Sequence, residues 1–394
     1  MASWLRARVR TRIPALRRRD EQLAELRTLL NRRTKQIRRL KERLSALEAD
    51  LAAVERERAD AQRETRRRAR RENREASFRR QIVSLRNQVS TTAGEDPQSL
   101  TPSRQLPYKL RNYSLANSHG IRTPNLLALW PDVDAIDLRA LPDRFVVKSD
   151  GGAGGRGVFP LERVGPDQFV TAGGGQTYTS ATLKARIREL GDRARPPFFA
   201  EAWLTARHQV GPLPHDVKIF AFYGEIGQIL LRSVGTHGDD DSVRYRFLAA
   251  DGTDLGNVSL ASIAPIEATV PIPPDLEDML DVARHLSRCT GTPFVRVDVY
   301  DTPDGSTLGE LTRAPGGPHR YRPEHDRLMG EMWLRAQTRL ELDLVRGRPP
   351  GAVYGDHPSI DHYRTAEVSG GNGPASWPTT VRPCAEWCVP HRPS

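Results

Sequence analysis

Residues 148–157 read KSDGGAGGRG, with RFVV before them at 144–147 and VFPL after them at 158–161. Five glycines and one alanine therefore stand between two short apolar β-forming runs, with Lys148 closing the first run and Arg156 inside the loop. Glycine lets a backbone approach an anion and turn successive N–H groups towards it, and a lysine adds a point charge suited to phosphate. The stretch reads as a hairpin loop that covers phosphates, with a structural glycine turn as the alternative. It is not a Walker loop, since no Gly-x-x-x-x-Gly-Lys-Ser/Thr is present, and a Rossmann fingerprint fits poorly because VFPL continues as strand.

Downstream, FVRVDVY at 294–300 alternates as a strand and places Arg296 and Asp298 on one face. A returning strand, LGELT at 308–312, carries Glu310. Two carboxylates on adjacent strands suit Mg²⁺ bridged to nucleotide phosphates, because that ion takes one or two carboxylates plus phosphate oxygens. Asp298 and Glu310 form the candidate metal pair, against the alternative of a surface carboxylate pair on a hairpin.

Around these motifs the chain divides by composition. Its 394 residues carry a net charge of +11, but residues 1–90 hold 27 Lys/Arg against 12 Asp/Glu, and the remainder 33 against 37. Basicity belongs to the N-terminal part and says little about the rest. From Leu23 a heptad seam runs with Leu23, Leu30, Ile37, Leu44 and Leu51 at one position and Leu26, Arg33, Leu40, Leu47 and Val54 at the other. A second short stripe, Phe78, Ile82, Leu85 and Val89, follows at a different phase. The expectation is a helical coiled-coil segment over 1–90 that pairs through 21–56, is frayed or solvated at 57–77 and makes a homodimer. A solvated unpaired helix is the alternative, and nucleic acid is not an expected partner despite the arginines at 66–71.

A Ser-, Thr- and Pro-rich stretch marks a linker at 91–107, and 108–347 reads as one globular domain. There, helical runs at 108–121, 179–190 and 276–291 alternate with hairpin-like runs at 216–233 and 294–312, which predicts an α+β layout with helices backing antiparallel sheets. The Pro- and Gly-rich remainder, 348–394, reads as a disordered tail whose CAEWC at 384–388 suits a local disulfide or a metal. Three cysteines fit a reducing, cytoplasmic setting, and no apolar run approaches a membrane span. The first 19 residues lack any acid, like some transit peptides, but hold no secretory apolar core.

The ordered series FVVKSDGGAGGRGV, FFAEAWL, HDVKIFAFYGEI and FVRVDVYD…GELTRAPGG resembles the ATP-grasp superfamily. In finer detail PDVDAIDLRALPDRFVVK at 131–148, GELTRAPGG at 309–317 and PEHDRLMGEMW at 323–333 resemble its TupA-like, teichuronopeptide-biosynthesis group, over about 108–340. The resemblance implies an ATP-grasp fold, two α+β subdomains sandwiching a nucleotide, and ATP with one or two Mg²⁺ ions as cofactors. Residue by residue, it implies that Lys148 and Lys109 contact phosphates, with a surface lysine as the alternative for Lys109. Gly151, Gly152, Ala153, Gly154, Gly155, Arg156 and Gly157 would close over them. Ala202 and Leu204 would pair with adenine through main-chain groups, with Glu201 supporting that edge and Trp203 packing. Asp216 and Lys218 would stand beside ribose or phosphates, with a structural ion pair as the alternative. Arg296 would stabilise charge on an acyl-phosphate, and Asp298 and Glu310 would hold metal. Where many members carry asparagine two residues after the glutamate, this chain has Thr312, a weaker ligand for a second ion.

The implied activity is an ATP-dependent carboxylate–amine ligase working through an acyl-phosphate on a cell-envelope or secondary-metabolite precursor. A phosphotransferase acting on a hydroxyl and a non-catalytic coiled-coil scaffold remain the alternatives. The substrate wall would come from variable loops such as GTHGDDDSVRYRFLAADG at 235–252, and the substrates themselves are not legible.

Overall fold

The computed structural model describes residues 14–152, 157–207, 214, 216–237, 239–316, 320–365 and 382–388, with the side chains of 68–74 and 365 outside that description. The chain divides into two compact units, Met1–Glu75 and Ala76–Ser394. Among the described residues the first is a single 61-residue helix, α1 (Pro14–Arg74), about 90 Å long at 1.5 Å per residue. Proline stands only at its first position and glycine is absent, so nothing breaks the helix; it continues through 57–74 and is exposed to solvent over 57–67, within the stretch expected to be frayed or solvated. Its heptad leucines, with Ile37 and Val54, are between 46% and 68% exposed, as an unpaired seam in one chain must be.

In the second unit, α2 (Phe78–Glu95), α3 (Pro102–Gln105) and α4 (Lys109–Ser118) precede the first sheet. That sheet is antiparallel, in the order β1-β6-β2-β3-β4-β5, from β1 (Leu126–Trp130), β2 (Arg144–Gly152), β3 (Val158–Gly165), β4 (Gln168–Thr171), β5 (Thr177–Tyr178) and β6 (Ala194–Ala202). Helix α5 (Ser180–Leu190), held at its start by a Thr179–Thr182 capping box, buries Leu183 and Ile187 against Phe145, Val147 and Leu161.

The second sheet, also antiparallel, runs β11-β10-β7-β8-β9, from β7 (Asp216–Phe222), β8 (Glu225–Val234), β9 (Val243–Leu248), β10 (Val295–Thr302) and β11 (Gly305–Thr312). Side chains two apart on a strand share a face. Val217, Ile219, Val297, Val299 and Leu311 therefore pack on one side with Met279, Leu280 and Leu286 of α6 (Leu276–Cys289). The other side begins apolar, with Phe220 and Phe222 under α7 (Pro323–Val345), and becomes charged towards Asp216 and Asp298.

Two domain expectations are corrected. The helical segment does not run to 90 as one piece, because α2 belongs to the second unit. Its Ser77 cap accepts from Arg80 N at 3.2 Å, and Phe78 enters an aromatic cluster 5.2 Å from the Phe294 ring centroid and 6.0 Å from that of Trp333. Burial of that ring contributes about 2–3 kcal/mol. A Cβ on Gly330 of α7 would lie 2.3 Å from Ser77 N, so glycine permits the close approach. The tail at 348–394 is not wholly without structure either. Val353 is buried, Tyr363 in α8 (His362–Thr365) packs against α4, and Cys384 and Cys388 form a disulfide. Residues 366–381 and 389–394 lie outside the described residues. Among the described residues no helix is long and apolar enough to cross a membrane.

Candidate functional site

Strand β2 carries Lys148 on the face opposite Phe145 and Val147, where it meets Glu201 of the neighbouring β6. Lys148 Nζ lies 2.5 Å from Glu201 Oε1, with the two side chains 9% and 3% exposed. Tyr113 of α4 donates its phenol proton to Glu201 Oε2 at 2.7 Å and accepts from Lys148 at 3.4 Å. Burial, then the charge and hydrogen bond of Glu201, push the Tyr113 phenol well above its ordinary pKa, so it remains a donor. The same phenol lies 3.4 Å from the Gly309 carbonyl, and Asn112 Nδ2 donates to the Leu311 carbonyl at 3.3 Å. Helix α4 thus joins the lysine-bearing sheet to the strand that carries Glu310.

The root of the glycine stretch is fixed from both ends. Ser149 N donates to Gly157 O at 2.9 Å, and Gly157, at φ +79°, has no room for a Cβ, which would fall 2.5 Å from Ser149 Oγ. Asp150, fully buried, accepts from Leu110 N and from Tyr363 Oη, each at 2.8 Å. Lys109 Nζ points at the Asp150 carbonyl, 3.5 Å away, and is buried rather than a surface lysine. Gly151 and Gly152 end β2, whereas Ala153, Gly154, Gly155 and Arg156 lie outside the described residues.

On the second sheet, register places Asp298 between Lys218 and Glu310, and Arg296 opposite Thr312. Arg296 grips Asp298 with two parallel bonds, Nε to Oδ1 at 2.6 Å and a terminal nitrogen to Oδ2 at 2.7 Å. Lys218 Nζ lies 2.6 Å from both Asp298 Oδ2 and Asp216 Oδ2. Arg296 also reaches Thr312 Oγ1 at 3.1 Å, which in turn lies 3.3 Å from Glu310 Oε1. Burial alone would raise the Asp298 pKa, but Arg296 and Lys218 outweigh it and hold the group below the usual carboxylate value.

The TupA-like ATP-grasp family model matches residues 98–334, more than half of the chain. The chain belongs to this family. Among solved structures, this family member is similar to D-alanine–D-alanine ligase from Bacillus anthracis, 14% identical over 63% of this chain and 72% of that one, with a TM-score of 0.38. The same enzyme complexed with ATP gives 13%, 63%, 71% and 0.39. A RimK domain ATP-grasp protein from Sphaerobacter thermophilus gives 13%, 60%, 69% and 0.35. No curated protein matches.

The residues expected at the adenine edge of this TupA-like site have protein partners in the structure. Glu201, expected to support the adenine edge, is engaged by Lys148 and Tyr113. Of the Ala202 main-chain groups, expected to pair with adenine, the N–H donates to the Asn125 carbonyl at 2.8 Å. Leu204 follows the end of β6, and Trp203 packs under the Arg144 guanidinium, 4.3 Å from its ring centroid. Two residues escaped sequence reading. Tyr300 shares the strand face of Arg296 and Asp298, a parity that could have revealed it. Burial and the charges of Asp216, Asp298, Glu201 and Glu310 push its phenol well above its ordinary pKa. Tyr113 had no sequence signal, because only the meeting of α4 with β6 gives it Glu201.

The donor set fits Mg²⁺: Asp216, Asp298, Glu310 and Thr312 supply only hard oxygen ligands. Asp216 Oδ1 is buried with no hydrogen-bond partner among the described residues. Among the described residues Asp298 Oδ1 takes only the Arg296 Nε bond, which leaves a second lone-pair position for a ligand.

Proposed function

We propose that this protein is an ATP-dependent carboxylate–amine ligase that activates a carboxylate as an acyl-phosphate, acting on a cell-envelope polymer or secondary-metabolite precursor. The observation that carries the reading is the joining, through Tyr113, of the buried Lys148 to a strand that presents Glu310 beside Asp298 and Arg296. Membership of the TupA-like ATP-grasp family supports it.

The chemistry needs a carboxylate oxygen to attack the γ-phosphorus while ADP leaves, then an amine to attack the acyl carbon while phosphate leaves and the amine loses a proton. Lys148 binds and orients phosphate oxygens, and Lys109 at the root of the glycine loop adds a second cation. A Mg²⁺ ion held by Asp298 and Glu310, with Thr312 as a weaker ligand, would neutralise charge on the phosphates. Arg296, rigid through its pair with Asp298, presents a fixed positive charge where the acyl-phosphate and its tetrahedral successor gather negative charge; such preorganised electrostatics are commonly the largest catalytic term. Tyr300, protonated at neutral pH, serves as a neutral donor rather than a base. Lys218 holds Asp216 and Asp298 in register.

The test is phosphate release from Mg²⁺-ATP by the full chain across paired carboxylates and amines. Release that needs both partners, with a stable amide as product, supports the ligase. Turnover with a single hydroxyl acceptor and a stable phosphorylated product would replace it with the phosphotransferase. No nucleotide binding by folded protein would leave the scaffold.

A further inference from the structure

All three cysteines of the 394-residue chain gather at one place remote in sequence from the glycine loop, where the end of α4 meets the last turn of α6 and the segment 382–388. His119 follows α4, His285 and Cys289 lie one turn apart on α6, and Cys388 comes from the C-terminal segment. Their ligand atoms all lie within 4.8 Å of one another. We propose that His119, His285, Cys289 and Cys388 form a structural zinc site.

Ligand chemistry selects the metal. Two thiolates and two imidazoles make the tetrahedral Cys₂His₂ set that favours Zn²⁺ over oxygen-seeking ions such as Mg²⁺. With Zn–N near 2.0–2.1 Å and Zn–S near 2.3 Å, a tetrahedron has N···N edges of about 3.3 Å and S···S edges of about 3.8 Å. His285 Nε2 and His119 Nδ1 already stand 3.1 Å apart. The charges of Zn²⁺ and two thiolates cancel, which suits the full burial of Cys289 and Cys388.

The surroundings orient the ligands. His119 Nε2 lies 3.0 Å from the Val353 carbonyl, which can only accept; the ring proton therefore sits on Nε2 and the Nδ1 lone pair faces the cluster. Metal-binding histidines are commonly held this way. Cys388 is held by its own segment. Tyr354 N donates to Arg382 O at 2.7 Å, Cys384 N to Tyr354 O at 2.8 Å, and Arg288 Nε to Trp387 O at 2.8 Å.

The Cys384–Cys388 disulfide is the competing state. A dithiol reductant, itself oxidised to a disulfide, converts the pair to two thiols. As Zn²⁺ enters, Cys289 and Cys388 each release a proton to solvent, and no other bond changes. The metal then ties the C-terminal segment to α6 and to the end of α4, the helix that carries Lys109 and Tyr113.

The experiment uses the full chain, reduced with a phosphine, loaded with Zn²⁺, gel-filtered and assayed for metal by mass spectrometry, with Co²⁺ as the spectroscopic probe. One zinc per chain is expected, with a tetrahedral Co²⁺ spectrum that includes a thiolate-to-cobalt band. Cys384→Ser, which removes the disulfide partner and no ligand, should bind one equivalent without reductant. His285→Gln and Cys388→Ser should each weaken zinc binding by about tenfold or more, with circular dichroism verifying the fold. No zinc on the reduced chain and on Cys384→Ser, an octahedral cobalt spectrum, or undiminished binding by both folded ligand variants overturns the proposal.

Discussion

Lys148 and Glu201, on adjacent strands, form an ion pair at 2.5 Å with both side chains almost wholly buried. Such a pair contributes little net stability when intact, yet removal of one partner strands the other charge. Lys148→Ala should therefore destabilise the protein by about 3–5 kcal/mol in urea titrations. Adding Glu201→Gln should recover part of that loss without recovering ATP binding, read by calorimetry with Mg²⁺. Wild-type ATP affinity in the double variant would remove Lys148 from phosphate binding.

Arg296→Lys keeps the charge but not the two-pronged grip on Asp298. Loss of this positioned charge should lower the chemical step by about 10²- to 10³-fold, with the ATP dissociation constant little changed. Single-turnover kinetics beside equilibrium binding separate the two; a matching loss of ATP affinity would make Arg296 a ground-state binding residue.

Burial raises the Asp150 pKa against the opposing bonds from Leu110 N and Tyr363. A carboxyl whose folded value lies above its unfolded value of about 3.9 favours the fold most below that value. The contribution is lost as pH rises through the folded value, with a slope of at most about 1.4 kcal/mol per pH unit. Asp150→Asn should flatten this slope in denaturation series from acid to neutral pH. An unchanged slope would assign it to another group.

The exposed seam of α1 predicts a dimer. Leu30→Glu with Leu44→Glu puts charge at two seam positions and should weaken association by at least about tenfold, since each buried leucine contributes about 2 kcal/mol. Sedimentation at graded concentrations reads the result, and a wild-type chain that stays monomeric throughout contradicts the pairing.

Legibility in the sequence followed local periodicity. The α1 seam, the alternation that put Arg296 with Asp298, and the glycine stretch were readable because each is written in neighbours along the chain. The role of Phe78 was not, since its spacing with Ile82 and Leu85 suits a partner helix in another chain as well as α7 in its own. Ser77 against Gly330 decides between them, and that contact spans 253 positions.

The sequence by itself determined the family, the helical N-terminal part, the two β-hairpins and the residue types of the site, because heptads, strand parity and glycine runs act over a few residues. Tertiary structure alone decided that Glu201 faces Lys148 and Tyr113, and that Lys218 reaches Asp298 as well as Asp216. It alone brought Cys388 to His119, His285 and Cys289 from a stretch that reads as tail. Those relationships depend on which strands neighbour one another and which helix packs between the sheets, and burial of the apolar faces sets both.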